Sequence, residues 1–95
     1  MDAKNEAELI GEMYRRPIKQ AIRNLYDEMK STIRLSATLH RKDCFFVVPS
    51  MCIEIPVHYD HAKMTRTLKA LAMKDGYECT DRNNTLHIWW KGYKP

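Results

Sequence analysis

The chain has few cysteines and glycines, and it has no long hydrophobic run. Its three cysteines are an odd number without a Cys-x-x-Cys pair, which argues against a secreted disulfide framework and predicts a reducing compartment. Its three glycines lie far apart, so no glycine-rich phosphate loop is present. No stretch approaches the roughly 20 apolar residues of a membrane span, and the acidic first residues do not resemble a signal peptide. We therefore predict a protein that is neither secreted nor membrane-spanning.

Metal-binding chemistry is poorly supported by the positions of histidine and cysteine. His58 and His61 are three residues apart and follow Cys52, but a structural zinc site needs a second close pair of ligands, which is missing. The other histidines and cysteines are scattered: His40, Cys44, Cys79 and His87. The sequence predicts no metal and no cofactor.

Catalytic residues are equally hard to find. Cys44 lies beside Phe45 in an apolar run and Cys79 lies in a predicted strand, so both are expected in the core rather than as exposed thiolates. Asp27 and Glu28 are neighbours on a helix surface and diverge. We predict a protein that is not an enzyme and has no small-molecule substrate.

What the chain does contain fits one domain of 95 residues with a mildly basic balance, a formal charge of +4. Its first segment, residues 1–34, is predicted to be helical because apolar residues recur with a period near 3.6 from Leu9 to Ile33. Pro17 interrupts this pattern. A proline suits a first helical turn, so the pattern favours one helix ending near Arg15 and a second beginning at Pro17; a single kinked helix is the alternative.

The second segment, residues 43–90, is predicted to form a ββαββ-like core after a polar connector at residues 35–42. Residues 44–48 form a β-branched and aromatic run without alternation, which predicts a strand buried on both faces. Residues 51–57 alternate, but Pro56 makes them an edge strand or an extended loop.

The chain from Asp60 onward predicts a capped helix followed by a β-hairpin. Asp60 is a good N-cap and Gly76 a good C-terminal cap, and the buried stripe between them is predicted to contain Ala62, Met64, Leu68, Leu71 and Ala72. Residues 77–80 and 85–90 are predicted to pair through a turn at residues 81–84. Leu86, Ile88 and Trp90 should face the core, and Thr85, His87 and Trp89 should face the other way. The predicted fold class is α+β, with helices on a small, mostly antiparallel sheet.

The first functional hypothesis is a structural or protein-interaction protein. Trp89 cannot share the core with Trp90, and an outward tryptophan close to Tyr93 is typical of an interface anchor. Tyr14 and Tyr26 on the N-terminal helix offer a second contact surface. The predicted partner is another protein or a second copy of the chain.

The second functional hypothesis is a small nucleic-acid-binding module of the winged-helix kind. Lys63, Arg66 and Lys69 recur at three-residue spacing on the second helix and are placed to contact phosphates, while the hairpin would act as the wing. His87 or Trp89 would stack on bases. A further basic patch is formed by Arg15, Arg16, Lys19 and Arg23.

The order of several short motifs resembles small proteins of large eukaryotic DNA viruses, of the mimivirus-like and marseillevirus-like lineages. These motifs are Phe45-Phe46-Val47-Val48-Pro49, Pro56-Val57-His58-Tyr59-Asp60-His61, Asp75-Gly76-Tyr77 and Asn84-Thr85-Leu86-His87-Ile88-Trp89. The chain departs from the pattern at Glu54-Ile55, where the viral proteins often carry a glycine before the proline. The resemblance implies a minor component of a virion, located in the particle or in the cytoplasm or nucleus of the host cell.

Overall fold

A computed structural model describes residues 3–51 and 59–93, with the backbone alone for residues 3–16. Two helices pack on a three-stranded antiparallel sheet, which confirms the predicted α+β class. The elements in chain order are α1 (Ala3–Thr38), β1 (Asp43–Val47), α2 (His61–Lys74), β2 (Glu78–Arg82) and β3 (Thr85–Trp89). Residues 52–58 lie outside the described residues, and with them most of the strand or loop predicted at 51–57. No helix in the described part of the chain is long and apolar enough to cross a membrane.

The first helix continues through Pro17, so the favoured prediction of two helices is wrong and the single-helix alternative is correct. A proline in a helix interior costs about 3 kcal/mol, and neighbouring packing can compensate this cost. The helix places Ala21, Leu25, Met29 and Ile33 at four-residue intervals, and all four are buried.

The same helix runs to Thr38, which corrects the polar connector predicted at residues 35–42. Its end is closed by backbone N–H groups of His40 and Arg41, which donate to the carbonyls of Ala37 and Ser36 at 3.0 and 2.9 Å. His40 takes a positive φ of 62° at the position that glycine usually occupies in this cap. The sequence lacks the glycine that usually marks such a helix end.

The second helix begins and ends as predicted. The Asp60 carboxylate accepts a hydrogen bond from the Lys63 backbone N–H at 3.0 Å, which satisfies one free donor of the first turn. At the other end Gly76 has φ of 96°, and the N–H of Tyr77 donates to Ala72. Met64, Leu68 and Ala72 are buried as predicted and Leu71 is half-buried.

Two positions of the predicted α2 stripe need correction. Ala62 is exposed, because it lies next to the cap and away from the sheet. Thr65 is buried instead. Its hydroxyl forms a hydrogen bond with the His61 carbonyl at 2.9 Å or with the Asn84 side chain at 3.1 Å. A threonine can replace an apolar residue in a buried stripe when its hydroxyl finds a partner in this way.

Strand β3 lies in the middle of the sheet, in the order β1-β3-β2. The hairpin turn is shorter than predicted, because residues 81 and 82 pair within β2 and only Asn83 and Asn84 form the turn. Both have positive φ, 49° and 60°, which is the backbone of a two-residue type I′ turn. Leu86 and Ile88 are fully buried, and Trp90 packs against the core while remaining half-buried.

Strand β1 is buried on one face, so the prediction of a strand buried on both faces is wrong. Cys44 and Phe46 point into the core, whereas Phe45 and Val47 are 60% and 69% exposed. Residues from both helices share one core cluster with the inward residues of the strands, so the helices cover the same face of the sheet. The apolar run of β1 therefore combines a core face and a surface face.

Candidate functional site

The face of the sheet opposite the helices is the most distinctive surface of the molecule. We call it the outer sheet face, and the strand register places three rows of side chains on it. These rows are Asp43–Trp89–Glu78, Phe45–His87–Thr80 and Val47–Thr85–Arg82. Because neighbouring residues alternate across a sheet, each of these side chains points away from the core.

Four rings gather on and beside the outer sheet face, and we call them the aromatic cluster: Phe45, His87, Trp89 and Tyr93. Phe45 and His87 face each other across β1 and β3, with ring centroids 4.4 Å apart and planes inclined by 10°. Trp89 lies 5.0 Å from His87 and 5.8 Å from Tyr93. Such contacts add about 0.5–1.5 kcal/mol per pair beyond area burial, so the rings hold one another in place.

The imidazole of His87 is fixed by a carboxylate as well as by rings. Its Nε2 lies 2.9 Å from a carboxylate oxygen of Asp43, which occupies the preceding row on β1. Both side chains are partly buried, at 23% and 19% exposure. This contact holds the imidazole plane against Phe45 and occupies the Asp43 carboxylate.

Next to the Phe45–His87 pair, the surface has a depression of about 440 Å³ at the hairpin end of the sheet. Phe45 and His87 form its aromatic side, and Arg82 supplies a positive charge. The remaining lining groups are the hydroxyls of Thr80 and Thr85 and the amide of Asn83. The depression therefore combines an aromatic wall with neutral donors and acceptors and a guanidinium.

The cations of the candidate interaction surface lie at its two ends. Arg82 belongs to the hairpin end, and three exposed cations flank the strands at the Trp89 end: Arg41, Lys42 and Lys91. The Lys42 side chain runs beside Gly92, and its carbonyl accepts from the Trp90 N–H at 3.1 Å. The acidic groups on the face are Asp43, bound to His87, and Glu78.

Of the four residues predicted as protein contacts, the structure brings two together. Trp89 and Tyr93 are members of the aromatic cluster, each half-buried. Tyr26 lies instead between the helices: its hydroxyl donates to the Asp75 carboxylate and lies 3.3 Å from the Leu71 carbonyl. Burial, and then the hydrogen bond to Asp75 and the charge of its carboxylate, raise the pKa of the Tyr26 phenol. The Tyr14 side chain lies outside the described part of the chain.

The basic residues predicted to contact nucleic acid are divided between the helices. On α2, Lys63 and Arg66 are exposed, while Lys69 forms an ion pair with Asp81 at 3.0 Å. The hydrogen bond and charge of Lys69 lower the pKa of that carboxyl. On α1, Lys19 and Arg23 are exposed, and the side chains of Arg15 and Arg16 lie outside the described residues.

The described elements do not include the tight helix-turn-helix of the winged-helix hypothesis. A helix-turn-helix joins its two helices by a turn of about 3–4 residues, whereas residues 39–60, which include strand β1, separate α1 from α2. The hairpin is also part of the sheet, with its strand β3 at the centre. In the winged-helix hypothesis this hairpin remains the predicted wing.

Both described cysteines lie in the core, as predicted. Cys44 and Cys79 flank Ile88 on the inner face, and burial raises the pKa of each thiol to about 11. Two strand spacings, about 10 Å, separate them, which is too far for a disulfide. Among the described residues, no three side chains of His, Cys, Asp or Glu come together as a metal site.

Reasoning from sequence missed Phe45 and Arg82 as surface residues of the site. The run Cys44–Val48 shows no polar alternation, so it predicts a fully buried strand and hides Phe45 as a surface residue. Its exposure follows from the position of β1 at the edge of the sheet, and no pattern within the strand itself indicates that position. Arg82 was assigned to the turn, although Asn83-Asn84 alone satisfies a type I′ hairpin.

The chain matches no protein-family model, no curated protein and no solved structure. The assignment of a function therefore depends on the geometry of the outer sheet face.

Proposed function

We propose that the protein is a non-enzymatic interaction protein that binds a macromolecular partner with its outer sheet face. The observation that carries this proposal is the exposure of Phe45 and Val47, at 60% and 69%, beside an ordered aromatic cluster. Covering apolar surface contributes roughly 25 cal/mol per Å² removed from water. Aromatic residues are also the type most enriched at interfaces.

The non-enzymatic part of the proposal is supported by the state of the reactive groups in the part of the chain that the structure describes. The thiols of Cys44 and Cys79, with pKa values near 11, are protonated and buried at neutral pH, whereas a nucleophilic cysteine must be an accessible thiolate. The His87 imidazole is packed between Phe45 and Trp89 and bound to Asp43. These groups hold the fold and the face together.

A finer form of the proposal makes the protein a minor, capsid-associated component of a large DNA virus. Its support is the order of motifs from Phe45 to Trp89 that resembles small viral proteins. In this form the partner is a virion protein or a second copy of the chain, and the expected location is the particle or the infected cell.

The test compares association by two matched variants. Phe45→Ser with Val47→Ser removes the exposed apolar groups, and Lys63→Ser with Arg66→Ser changes two exposed residues of α2. Molar mass by light scattering is measured for each protein, together with the protein and nucleic acid that co-purify with it. We expect association to fall in the sheet variant and to persist in the helix variant. Equal association by wild type and both variants, or a wild type that associates with nothing, would contradict the proposal.

A second candidate function, nucleic-acid binding through α2, is favoured by the exposure of Lys63 and Arg66. Lys63 also borders a cleft of about 240 Å³ between α1 and α2, lined on the α1 side by Ile18 and Ile22. Phosphate contacts by these cations would weaken steeply with added salt. Duplex DNA binding that is lost in the Lys63→Ser, Arg66→Ser variant and falls between 50 and 200 mM salt would support this candidate.

A further inference from the structure

We propose that the partner of the outer sheet face is a single-stranded nucleic acid, whose bases stack on Phe45 and Trp89 and whose backbone meets Arg82. This inference rests on the proposed function and names the chemistry of its partner. It differs from the α2 candidate, because it needs unpaired bases and uses the opposite face of the molecule.

The rings of the aromatic cluster are already arranged for stacking. Phe45 is held nearly parallel to His87 at 4.4 Å, yet it remains 60% exposed, so ring surface is left for a base. Trp89 is steadied by His87 and Tyr93 in the same way. Stacking on an aromatic side chain contributes about 1–3 kcal/mol per base and tolerates any base. Rings already fixed by neighbours lose little conformational entropy when a base arrives.

The depression beside Phe45 has groups that suit a nucleotide. Its volume of about 440 Å³ falls within the range of ordinary ligand sites, roughly 300–1,000 Å³. Thr80, Thr85 and Asn83 provide hydroxyl and amide groups for the polar edge of a base. Arg82 on the same wall provides the planar guanidinium that matches a phosphate. An apolar protein partner would leave these polar groups covered and unpaired.

The charges around the outer sheet face and the length of β3 also suit a single strand. Cations occur at both ends of the surface, Arg82 at one end and Arg41, Lys42 and Lys91 at the other. Of the acidic groups on the face, Asp43 is engaged by His87 and Glu78 remains. Strand β3 rises about 13 Å from Thr85 to Trp89. That length accommodates about two or three splayed bases, the number that aromatic residues on other nucleic-acid-binding sheets stack.

The experiment measures the anisotropy of fluorescein-labelled oligo(dT) and oligo(U), each about 12 nucleotides long, with the full chain at 50 and 200 mM salt. We expect both strands to bind, and a mixed-sequence duplex to bind more weakly because its bases are already stacked. Phe45→Ala should weaken binding by about 5- to 150-fold, while Phe45→Trp should retain it. Arg82→Ala should reduce the salt slope by about one.

Two matched controls keep the result specific. Leu35→Ala changes an exposed, non-aromatic residue of α1, outside the outer sheet face, and should leave binding close to wild type. Lys63→Ala removes a cation on α2 and should also preserve it. Thermal unfolding by circular dichroism shows that each variant is folded.

Three results would overturn the inference: no binding at 50 mM salt, binding that Phe45→Ala leaves unchanged, or duplex binding as tight as single-strand binding. If the strands fail to bind but light scattering or co-purification shows protein association that Phe45→Ala abolishes, the partner is a protein and the proposed function stands. If Phe45→Ala changes neither association nor binding, both proposals are wrong.

Discussion

At the scale of single residues, two adjacent tryptophans have different roles. Trp90 packs against the core cluster and meets Tyr77 edge-on, with centroids 6.3 Å apart. Trp89 points to the opposite side and contacts His87 and Tyr93. Strand alternation alone predicted this division, because neighbouring side chains in a strand cannot share a face.

Trp90→Ala should therefore destabilise the protein more than Trp89→Ala. Truncating Trp90 should cost about 3 kcal/mol, the low end for buried aromatic residues, since Trp90 is half-buried. Truncating Trp89 removes two ring contacts of about 0.5–1.5 kcal/mol each, and because they lie at the surface the total should be near the low end, about 1 kcal/mol. Urea unfolding monitored by far-ultraviolet circular dichroism measures both values. A larger loss for Trp89→Ala would mean that the two faces are reversed.

The thiols make stability depend on pH in the alkaline range. Burial raises the pKa of Cys44 and Cys79 from 9.0 to about 11, so between these values the folded state holds protons that the unfolded state releases. Unfolding is then favoured as pH rises, because stability falls wherever the folded state binds more protons. The stability that the two buried, protonated thiols contribute is fully present below pH 9 and is lost as the pH rises toward 11.

The measurement is the free energy of unfolding from pH 8 to 11 in a Cys52→Ser, Tyr26→Phe background, which removes the remaining cysteine and the phenol with a raised pKa. We expect a decline that begins near pH 9, together with slow labelling of both thiols by iodoacetamide in the native state at pH 8. Stability that stays level to pH 11, or labelling at the rate of unfolded protein, would show that the thiols are accessible.

At the scale of elements, the hairpin turn and the start of α2 are joined by a polar network. The His61 Nε2–H donates to the Val48 carbonyl at 2.6 Å, and Asn84 donates its amide to His61 Nδ1 at 3.2 Å. The Asn84 amide oxygen also lies 3.1 Å from the buried Thr65 hydroxyl. The turn therefore fixes the helix against the sheet as well as reversing the chain.

Asn84→Gly isolates this network, because glycine accepts the positive φ of 60° without strain. We expect a loss of about 1–2 kcal/mol from the missing hydrogen bonds to His61 and Thr65. Asn83→Gly is the matched control, since Asn83 shares the turn and has the same sign of φ, and it should change stability by less. Equal losses of unfolding free energy in the two variants would show that the hydrogen bonds of Asn84 to His61 and Thr65 do not stabilise the protein.

Pro17 tests the continuity of α1. Replacing it with alanine restores one backbone donor and removes the ring clash, so Pro17→Ala should stabilise the protein by up to about 3 kcal/mol and raise its helical signal. Lys19→Ala is the control: Lys19 is exposed on the same helix two residues after Pro17, so its replacement tests the effect of helix propensity alone. A Pro17→Ala variant with no gain in either stability or helical signal would contradict this expectation.

At the scale of the whole molecule, helices cover one face of a three-stranded sheet and leave the other face to the aromatic cluster. The molecule measures 58 × 23 × 22 Å, and its long dimension matches α1, whose 36 residues span about 54 Å. A sheet packed on one side has a second surface on which binding groups can be placed without disturbing the core. Function is expected on that second surface.

The helix caps and the strand alternation could be predicted from neighbouring residues. The pairing of distant strands in the sheet could not. Asp60, Gly76 and the alternation of Leu86 and Ile88 act through neighbours in the chain, so the capped helix and the hairpin could be recognised. The exposure of Phe45 depends on β1 lying beside β3, a contact between residues more than 40 positions apart. The end of α1 at Thr38 has no glycine signal, because His40 occupies the cap position that glycine usually fills.

The most direct test is an NMR titration of the ¹⁵N-labelled protein with oligo(dT), following every backbone amide and both indole N–H groups. The account predicts shifts for the Trp89 indole and for the amides of β1 and β3 around Phe45 and His87, with the exposed side of α2 near Lys63 and Arg66 unchanged. Shifts confined to α2, or a spectrum that does not change at any oligonucleotide concentration, would contradict it.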